Sequence, residues 1–244
     1  MTIKNNFNIV KSHPFSWFLS GVGEYIYNKE SKLLLDLLQV MPAGKILQLG
    51  GPPLIRTFSK FHFVHYDNEV NFQSLGHNVC GDFDNLSLVP ESFDIVVSYH
   101  LHEICPNFED AFAESYNALQ DEGLLVVFGF NPASLWGMQR LLGIGDVVGW
   151  CDKFYNSKKI SAILSELNFT PISKSSDGYG FYSSNKIIYN NFDFLKKMNI
   201  KNFGAFYMLI FKKRSSTLTL MPITDPSFIQ VPRLNPSGFW QNRS

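Results

Sequence analysis

The stretch of sequence that decides the fold spans residues 93–128 and reads FDIVVSYHLHEICPNFEDAFAESYNALQDEGLLVVF. It begins with a β-branched run at residues 93–98, which predicts a buried strand. Residues 107–119 place large apolar side chains on one stripe, which predicts an amphipathic helix with Asn107 as its N-cap. Residues 124–128 are continuously apolar, as in a strand that is covered on both faces of a parallel sheet. Strand, helix and strand in this order indicate an α/β protein.

The same alternation of apolar runs and amphipathic segments extends in both directions from this stretch. The further predicted strands are residues 45–49, 61–66, 78–80, 169–173 and 205–211. A helix is predicted at residues 28–41, and another begins where Ser157 can act as a cap. We therefore predict a doubly wound, mostly parallel seven-stranded sheet with helices on both faces. The last strand is expected to pair antiparallel beside its predecessor.

The chain divides into three predicted regions. Residues 1–42 form an N-terminal helical arm or lid, in which Phe15, Trp17 and Phe18 either cover a cleft or pack as a plain arm. Residues 43–214 form the α/β core, with an insertion near 178–202. The prolines of residues 215–244 predict an extended tail.

Composition excludes several classes of protein. The chain has 244 residues, 45% of them hydrophobic, so it is not disordered as a whole. Its 21 basic residues equal its 21 acidic ones, whereas a dedicated binder of duplex nucleic acid is usually basic. Cys80, Cys105 and Cys151 form no Cys-x-x-Cys pair, so neither a disulfide framework nor a cysteine zinc site is indicated. The apolar stretches are too short to cross a bilayer, and we expect a soluble, cytoplasmic protein with no membrane partner.

Small, acidic and aromatic residues follow four of the predicted strands, where α/β sheets bind their ligands. Gly50-Gly51 end the first strand, and their missing side chains let a ligand approach the backbone. Asp67, which lies 17 residues beyond Gly50, can accept hydrogen bonds from two ribose hydroxyls. Asp82 can accept from an adenine amine while Phe83 covers the ring. The alternative is that Asp67 and Asp82 are turn residues, since Asp is common where strands end.

The motifs resemble those of a known family. Residues 81–83, 92–102 and 122–127 are similar in order and spacing to class I S-adenosylmethionine-dependent methyltransferases, in particular the type 11 group. The segment GFNPASLWG at residues 129–137 is similar to a small bacterial subgroup with a GFNPxSLWG signature. The resemblance covers roughly residues 15–225 and implies a Rossmann-like methyltransferase fold. It also implies transfer of a methyl group from S-adenosyl-L-methionine to an unidentified acceptor, with a small molecule favoured.

The resemblance also implies roles for individual residues. Gly50 and Gly51 would face the methionine part of the cofactor, and Asp67 would take the ribose hydroxyls with Asn68 beside the adenine. Asp82 and Phe83 would bind the adenine edge and face, and Tyr99 and His100 would flank the sulfonium.

The first loop departs from the family pattern. Gln48 is placed among the cofactor contacts, but it stands where the family has an acid, and Pro52 replaces the second loop glycine. We therefore expect weaker cofactor binding than is usual, and tighter binding by Gln48→Asp. If neighbouring backbone satisfies Gln48 instead, the new carboxylate would be buried and unpaired. A degenerate fold that binds ligands or proteins without catalysis is the alternative function.

The remaining chemistry is less defined. Because the sulfonium is already reactive, no catalytic side chain is required, and His100 is the one candidate base. Metal ligation by His100 and His102 together with His62 or His65 is an alternative to the prediction of no metal. Glu103 is predicted to be a solvated loop acid.

The sequence excludes two other activities, NAD-dependent dehydrogenation and amino-methylation. An NAD-dependent dehydrogenase is excluded because Gly-x-Gly-x-x-Gly is absent after the first strand. Amino-methylation is excluded because Asn131-Pro132 follows the fifth strand and not the fourth.

The basic residues within 196–214 indicate a solvated face, or an anion-binding patch as the alternative.

Overall fold

The structure is a computed structural model that describes residues 14–19, 21–55, 60–68, 77–142, 153–179, 181–183, 186–188 and 203–214. A 3₁₀ segment, Pro14–Leu19, precedes the first helix. The helices are α1 (Gly21–Val40), α2 (Leu101–Ile104), α3 (Phe108–Ala118), α4 (Leu135–Leu141) and α5 (Ser157–Glu166). The strands are β1 (Gly44–Leu49), β2 (Phe61–Asp67), β3 (His77–Cys80), β4 (Phe93–Tyr99), β5 (Leu119–Phe130), β6 (Phe169–Asp177), β7 (Phe181–Ser183), β8 (Lys186–Ile188) and β9 (Phe206–Lys213). The predicted tail, most of the predicted insertion and Cys151 lie outside the described residues.

Seven strands form one sheet in the order β3-β2-β1-β4-β5-β9-β6. Every pairing among β1 to β5 is parallel, whereas β9 runs antiparallel to both β5 and β6. The seven-stranded, mostly parallel sheet is confirmed, and so is the antiparallel last strand beside its predecessor. The strand order reverses between β1 and β4, which is where open α/β sheets bind ligands.

Helices cover both faces of the sheet because the strands alternate their side chains. On one face the core combines Ile46, Ile95 and Val97 with the stripe of α1. On the other face Val96 and Val127 pack against α3 and α5. The predicted two-sided architecture is therefore confirmed, and α1 is a core element of the same body as the sheet.

Three local predictions about helices are corrected. The first helix begins at Gly21 and not at residue 28, and Gly23 is needed there because a Cβ would lie 2.1 Å from the Trp17 carbonyl oxygen. The cap of α5 is Asn156, whose Oδ1 accepts the Lys158 N–H at 2.9 Å. Asn107 does precede α3, but its side chain donates to Asp84 and makes no cap bond.

Candidate functional site at the strand ends

The sheet brings most of the predicted site residues to one edge. Leu49 pairs with Tyr66 of β2 and with Ser98 of β4, so the residues that follow these strands are neighbours. Next along the sheet, the Gly81 N–H donates to the Asp67 carbonyl at 3.1 Å. The Tyr66 and Phe83 rings lie 6.1 Å apart, which joins the end of β3 to the same edge.

The loop after β1 is held closed by Gln48. Its fully buried amide donates from Nε2 to the carbonyl oxygens of Gly50 at 2.8 Å and Pro52 at 2.9 Å, and its Oε1 accepts the Leu54 N–H at 2.9 Å. His65 Nε2 donates to the Gly51 carbonyl at 2.7 Å and anchors the same loop to β2. Gln48 therefore serves the loop itself, which corrects the expectation that it faces a cofactor. These contacts match the alternative interpretation, in which neighbouring backbone groups satisfy the hydrogen bonds of the Gln48 amide.

Both loop glycines have a positive φ, 74° at Gly50 and 68° at Gly51, which favours glycine. A Cβ on Gly50 would lie 3.2 Å from Cζ of Phe15, and a Cβ on Gly51 only 2.2 Å from Cδ1 of Tyr99. The close approach predicted at these glycines is therefore made by two aromatic rings of the chain itself.

The ends of β2 and β3 carry the predicted acids. Asp67 is only 2% exposed, and its Oδ1 accepts the Asn68 N–H at 2.8 Å, which is ordinary turn chemistry. Asn68 and Asp82 are exposed beside it, while Phe83 is buried. This edge thus combines one nearly buried carboxylate with accessible polar groups and an aromatic ring.

A buried polar cluster lies between the end of β4 and helix α1. The Tyr99 hydroxyl donates to Oε2 of Glu30 at 2.7 Å, and His100 Nε2 lies 2.9 Å from Oε1 of the same carboxylate. His100 Nδ1 lies 2.8 Å from Oε2 of Glu103, whose Oε1 accepts the Phe130 N–H at 2.6 Å. Sequence reasoning missed Glu30, although a charged residue on the apolar stripe of α1, four residues after Ile26 and four before Leu34, was the available signal.

The cluster determines the protonation of His100. Burial opposes a charge on the ring, but the carboxylates of Glu30 and Glu103 outweigh it and raise the pKa of His100 to about 9. An imidazolium whose two N–H groups point at carboxylates has no lone pair with which to accept a proton. His100 is therefore not a general base at neutral pH, which corrects that candidate role. Its backbone φ of 52° is unusual for a residue other than glycine.

His102 lies on the other face of the sheet from His100, near Phe108 and Phe112, because it belongs to helix α2 and not to an extended strand. The Tyr207 hydroxyl gives its hydrogen to the Tyr155 carbonyl at 3.0 Å, so His102 Nε2 donates to that hydroxyl at 2.9 Å. Burial lowers the pKa of His102 to about 3, which keeps the ring neutral.

Glu103 is not the solvated acid that the sequence predicted, because it is 6% exposed. Within the ranges given above, no group of three or more His, Cys, Asp or Glu side chains is arranged to hold a metal ion.

Aromatic residues of the 3₁₀ segment cover this edge. Trp17 stacks on Trp136 of α4 with ring centroids 5.7 Å apart. Phe18 is fully buried and its ring lies 5.0 Å from His100 and 5.1 Å from Tyr99. Together with Phe15 they place the arm over the carboxyl ends of β1 and β4.

A separate cavity of about 340 Å³ lies at the opposite edge of the sheet, near the amino ends of β4 and β5. Its lining includes Glu91, Tyr116 and Lys213 and none of the predicted site residues. The strand-end chemistry, and not this cavity, therefore marks the candidate site.

Comparison with known proteins agrees with this geometry. Residues 62–127 match the family model described as a methyltransferase domain. The chain has a Rossmann-like methyltransferase fold. No curated protein matches the sequence.

Three solved structures illustrate the likeness. A methyltransferase from Thermotoga maritima, described as S-adenosylmethionine-dependent and a possible histamine N-methyltransferase, has a TM-score of 0.54 and 16% identity, over 83% of this chain and 100% of that one. One from Archaeoglobus fulgidus, also described as dependent on S-adenosylmethionine, has a TM-score of 0.53 and 15% identity, over 78% and 94%. A protein from Bacillus halodurans, described as a methyltransferase by assignment, has a TM-score of 0.51 and 12% identity, over 77% of this chain and 100% of that one.

These likenesses support the predicted fold. In the part of the chain that the structure describes, no helix is long and apolar enough to cross a membrane.

Proposed function

We propose that this protein is an S-adenosylmethionine-dependent methyltransferase that acts on a small-molecule acceptor. The observation that carries the proposal is the convergence of Gly50, Asp67 and Tyr99 at the point where the strand order reverses. The methyltransferase-domain match covers β2 to β5, which contain most of that edge.

The nucleoside half of the cofactor fits the residues at the ends of β2 and β3. A ribose offers two hydroxyl donors, and the carboxylate of Asp67 is the nearly buried acceptor at this edge. The exposed Asn68 and Asp82 supply polar partners for an adenine edge, and Phe83 supplies an apolar surface. We assign these four residues to the nucleoside.

The methionine half belongs beside Gly50, Gly51 and Tyr99. Because the rings of Phe15 and Tyr99 contact these glycines, a bound cofactor would share the space with them. We therefore expect the arm to adjust when the cofactor binds and to exclude water afterwards.

The cofactor supplies a methyl group that is already activated on a sulfonium. The chain then has to hold the acceptor in line with that methyl and keep water out, which requires no proton-transfer residue. The aromatic cover formed by Trp17, Phe18 and Trp136 suits the exclusion of water.

Calorimetric titration of the full chain with S-adenosylhomocysteine tests the proposal. We expect one molecule to bind per chain, followed by transfer of labelled methyl groups in a screen of small acceptors. Absence of binding by both S-adenosylhomocysteine and S-adenosylmethionine would overturn the assignment and favour a binding module without catalysis.

A further inference from the structure

The cavity at the amino ends of β4 and β5 has the features of a second binding site. It lies at the opposite edge of the sheet from Gly50 and Asp67, between the loop before β4, the end of α3 and the end of β9. Its volume of about 340 Å³ is in the range of sites that hold small molecules. The cavity opens to solvent, because Pro90, Glu91 and Asp121 in its lining are exposed.

A buried ammonium forms part of the cavity wall. Lys213 is only 5% exposed, and its Nζ donates to the Leu119 carbonyl at 2.7 Å. Among the described residues, the carboxylate that it approaches is that of Glu91, whose Oε1 lies at 3.9 Å, too far for a hydrogen bond. The ring of Tyr116 covers another side, with its centroid 4.6 Å from Nζ. Because an ammonium has three N–H groups, Lys213 can also donate to a ligand in the cavity.

The remaining polar groups of the cavity favour a positive charge. Its lining contains the carboxylates of Glu91, Glu114 and Asp121. The carboxyl end of α3, which also lines the cavity, adds its partial negative charge. Within the ranges that the structure describes, these acids are not arranged to hold a metal ion. The cation that suits them is therefore a larger, organic one.

The loop that carries Glu91 is held in place by the end of α3. Glu91 has a φ of 52°, which is uncommon for a residue other than glycine. Its N–H donates to the Asn117 carbonyl at 2.9 Å, and the Ser92 N–H donates to the Ala118 carbonyl at 3.0 Å. The wall of the cavity is therefore formed before a ligand binds, which lowers the free-energy cost of binding.

We propose that this cavity binds an α-amino acid with an apolar side chain. The ligand carboxylate accepts from Lys213, and the ligand ammonium lies against Glu91. Because these two protein groups are only 3.9 Å apart, a ligand that contacts both needs its opposite charges close together, as they are on the α-carbon of an amino acid. The apolar side chain of the ligand then contacts the wall formed by Leu86, Leu88 and Pro90.

Three small molecules of matched shape separate the two charges. L-leucine carries both charges, 4-methylpentanoate is leucine without its ammonium, and 3-methylbutylamine is leucine without its carboxylate. In ligand-observed NMR titrations of the full chain, we expect leucine to bind with a dissociation constant of about 1 mM or below. The acid and the amine should each bind at least about tenfold more weakly, because each lacks one charge-assisted hydrogen bond.

Two variants assign the charges to their residues. Glu91→Gln should weaken binding of leucine about five- to tenfold and leave binding of 4-methylpentanoate no weaker than in the wild type. Lys213→Met should weaken binding of leucine by a similar factor and leave binding of 3-methylbutylamine no weaker. The matched controls are Glu166→Gln and Lys158→Met at exposed positions of α5, which should bind leucine as the wild type does. If Lys213→Met does not fold, as judged by circular dichroism, Glu91→Gln decides the matter, since its side chain is exposed.

Several results would overturn the inference. One is a failure of leucine, methionine and phenylalanine to bind the wild-type chain. Another is an acid or an amine that binds as tightly as leucine, because the cavity would then be a site for a single charge. A folded Glu91→Gln variant that binds leucine as tightly as the wild type does would also overturn it. The proposed function stands in each case, because its residues lie at the other edge of the sheet.

Discussion

Gln48 shows how one side chain can organise a whole loop. Its amide donates to two carbonyl oxygens and accepts one N–H. Gln48→Glu would turn a carboxylate oxygen toward the carbonyls of Gly50 and Pro52, so we expect unfolding to become easier by about 1–3 kcal/mol in urea titrations. Gln39→Glu, at an exposed position of α1, is the control that should stay near wild type.

The same geometry reverses the expectation for Gln48→Asp. That substitution also removes both donors and leaves a buried charge, so binding of S-adenosylmethionine should weaken and not tighten. Tighter binding in calorimetry would show that the loop rearranges around the new acid.

Asp67 is the residue on which the nucleoside assignment depends. Removing its carboxylate leaves two ribose hydroxyls without their acceptor, so Asp67→Ala should weaken binding of S-adenosylhomocysteine by about 1.5–3 kcal/mol. Asp121→Ala, which removes an exposed acid at the amino end of β5, should bind as the wild type does. Unchanged affinity with reduced stability would instead mark Asp67 as a turn residue only.

At the scale of elements, the arm is expected to respond to the cofactor. The segment Pro14–Leu19 contacts Gly50, Tyr99 and α4, so a ligand at this edge should restrain both the segment and residues 135–142. Hydrogen exchange should slow in both when S-adenosylhomocysteine is added, while α5 on the opposite face stays unchanged. Equal exchange with and without ligand would argue for a plain packed arm.

The elements also show what sequence can and cannot predict. The strands were predicted because continuous apolar runs are specific to buried strands, and β1, β2 and β4 were placed to within about two residues. The first turns of α1 were missed because Gly21 and Gly23 weaken the helical pattern, although Gly23 is there for close packing against Trp17. Helix α4 was missed because Asn131 and Pro132 indicate a turn, and the helix begins directly after it at a Ser134 cap.

The candidate site also combines residues that the sequence could predict with contacts that it could not. Residues at strand ends could be predicted because chain order alone places them at one edge. The Glu30 contacts could not, because they depend on how α1 is rotated against the sheet. The partners of Gln48 depend on the closure of a loop with two left-handed glycines.

For the whole molecule, the Glu30–His100–Glu103 cluster predicts a dependence of stability on pH. The folded chain keeps a proton on His100 up to about pH 9, whereas the unfolded chain releases it near pH 6.5. The stabilisation is therefore complete below pH 6.5 and is lost as the pH rises through about 9. Urea unfolding across this range should show falling stability, and His100→Gln should flatten the profile. His62→Gln, at an exposed histidine of β2, should leave it as steep as in wild type.

The position of β9 affects how the chain can assemble while it is being synthesised. β9 lies between β5 and β6 although it follows both in the sequence. Until residue 213 has left the ribosome, β5 presents an open strand edge and β6 has no neighbour in the main sheet. Exposed edges of this kind pair readily with other chains, so the nascent polypeptide is prone to aggregation until β9 emerges. A ribosome that stalls before residue 206 would hold a sheet that lacks β9 between β5 and β6. We expect chaperones to be needed while the chain is in that state.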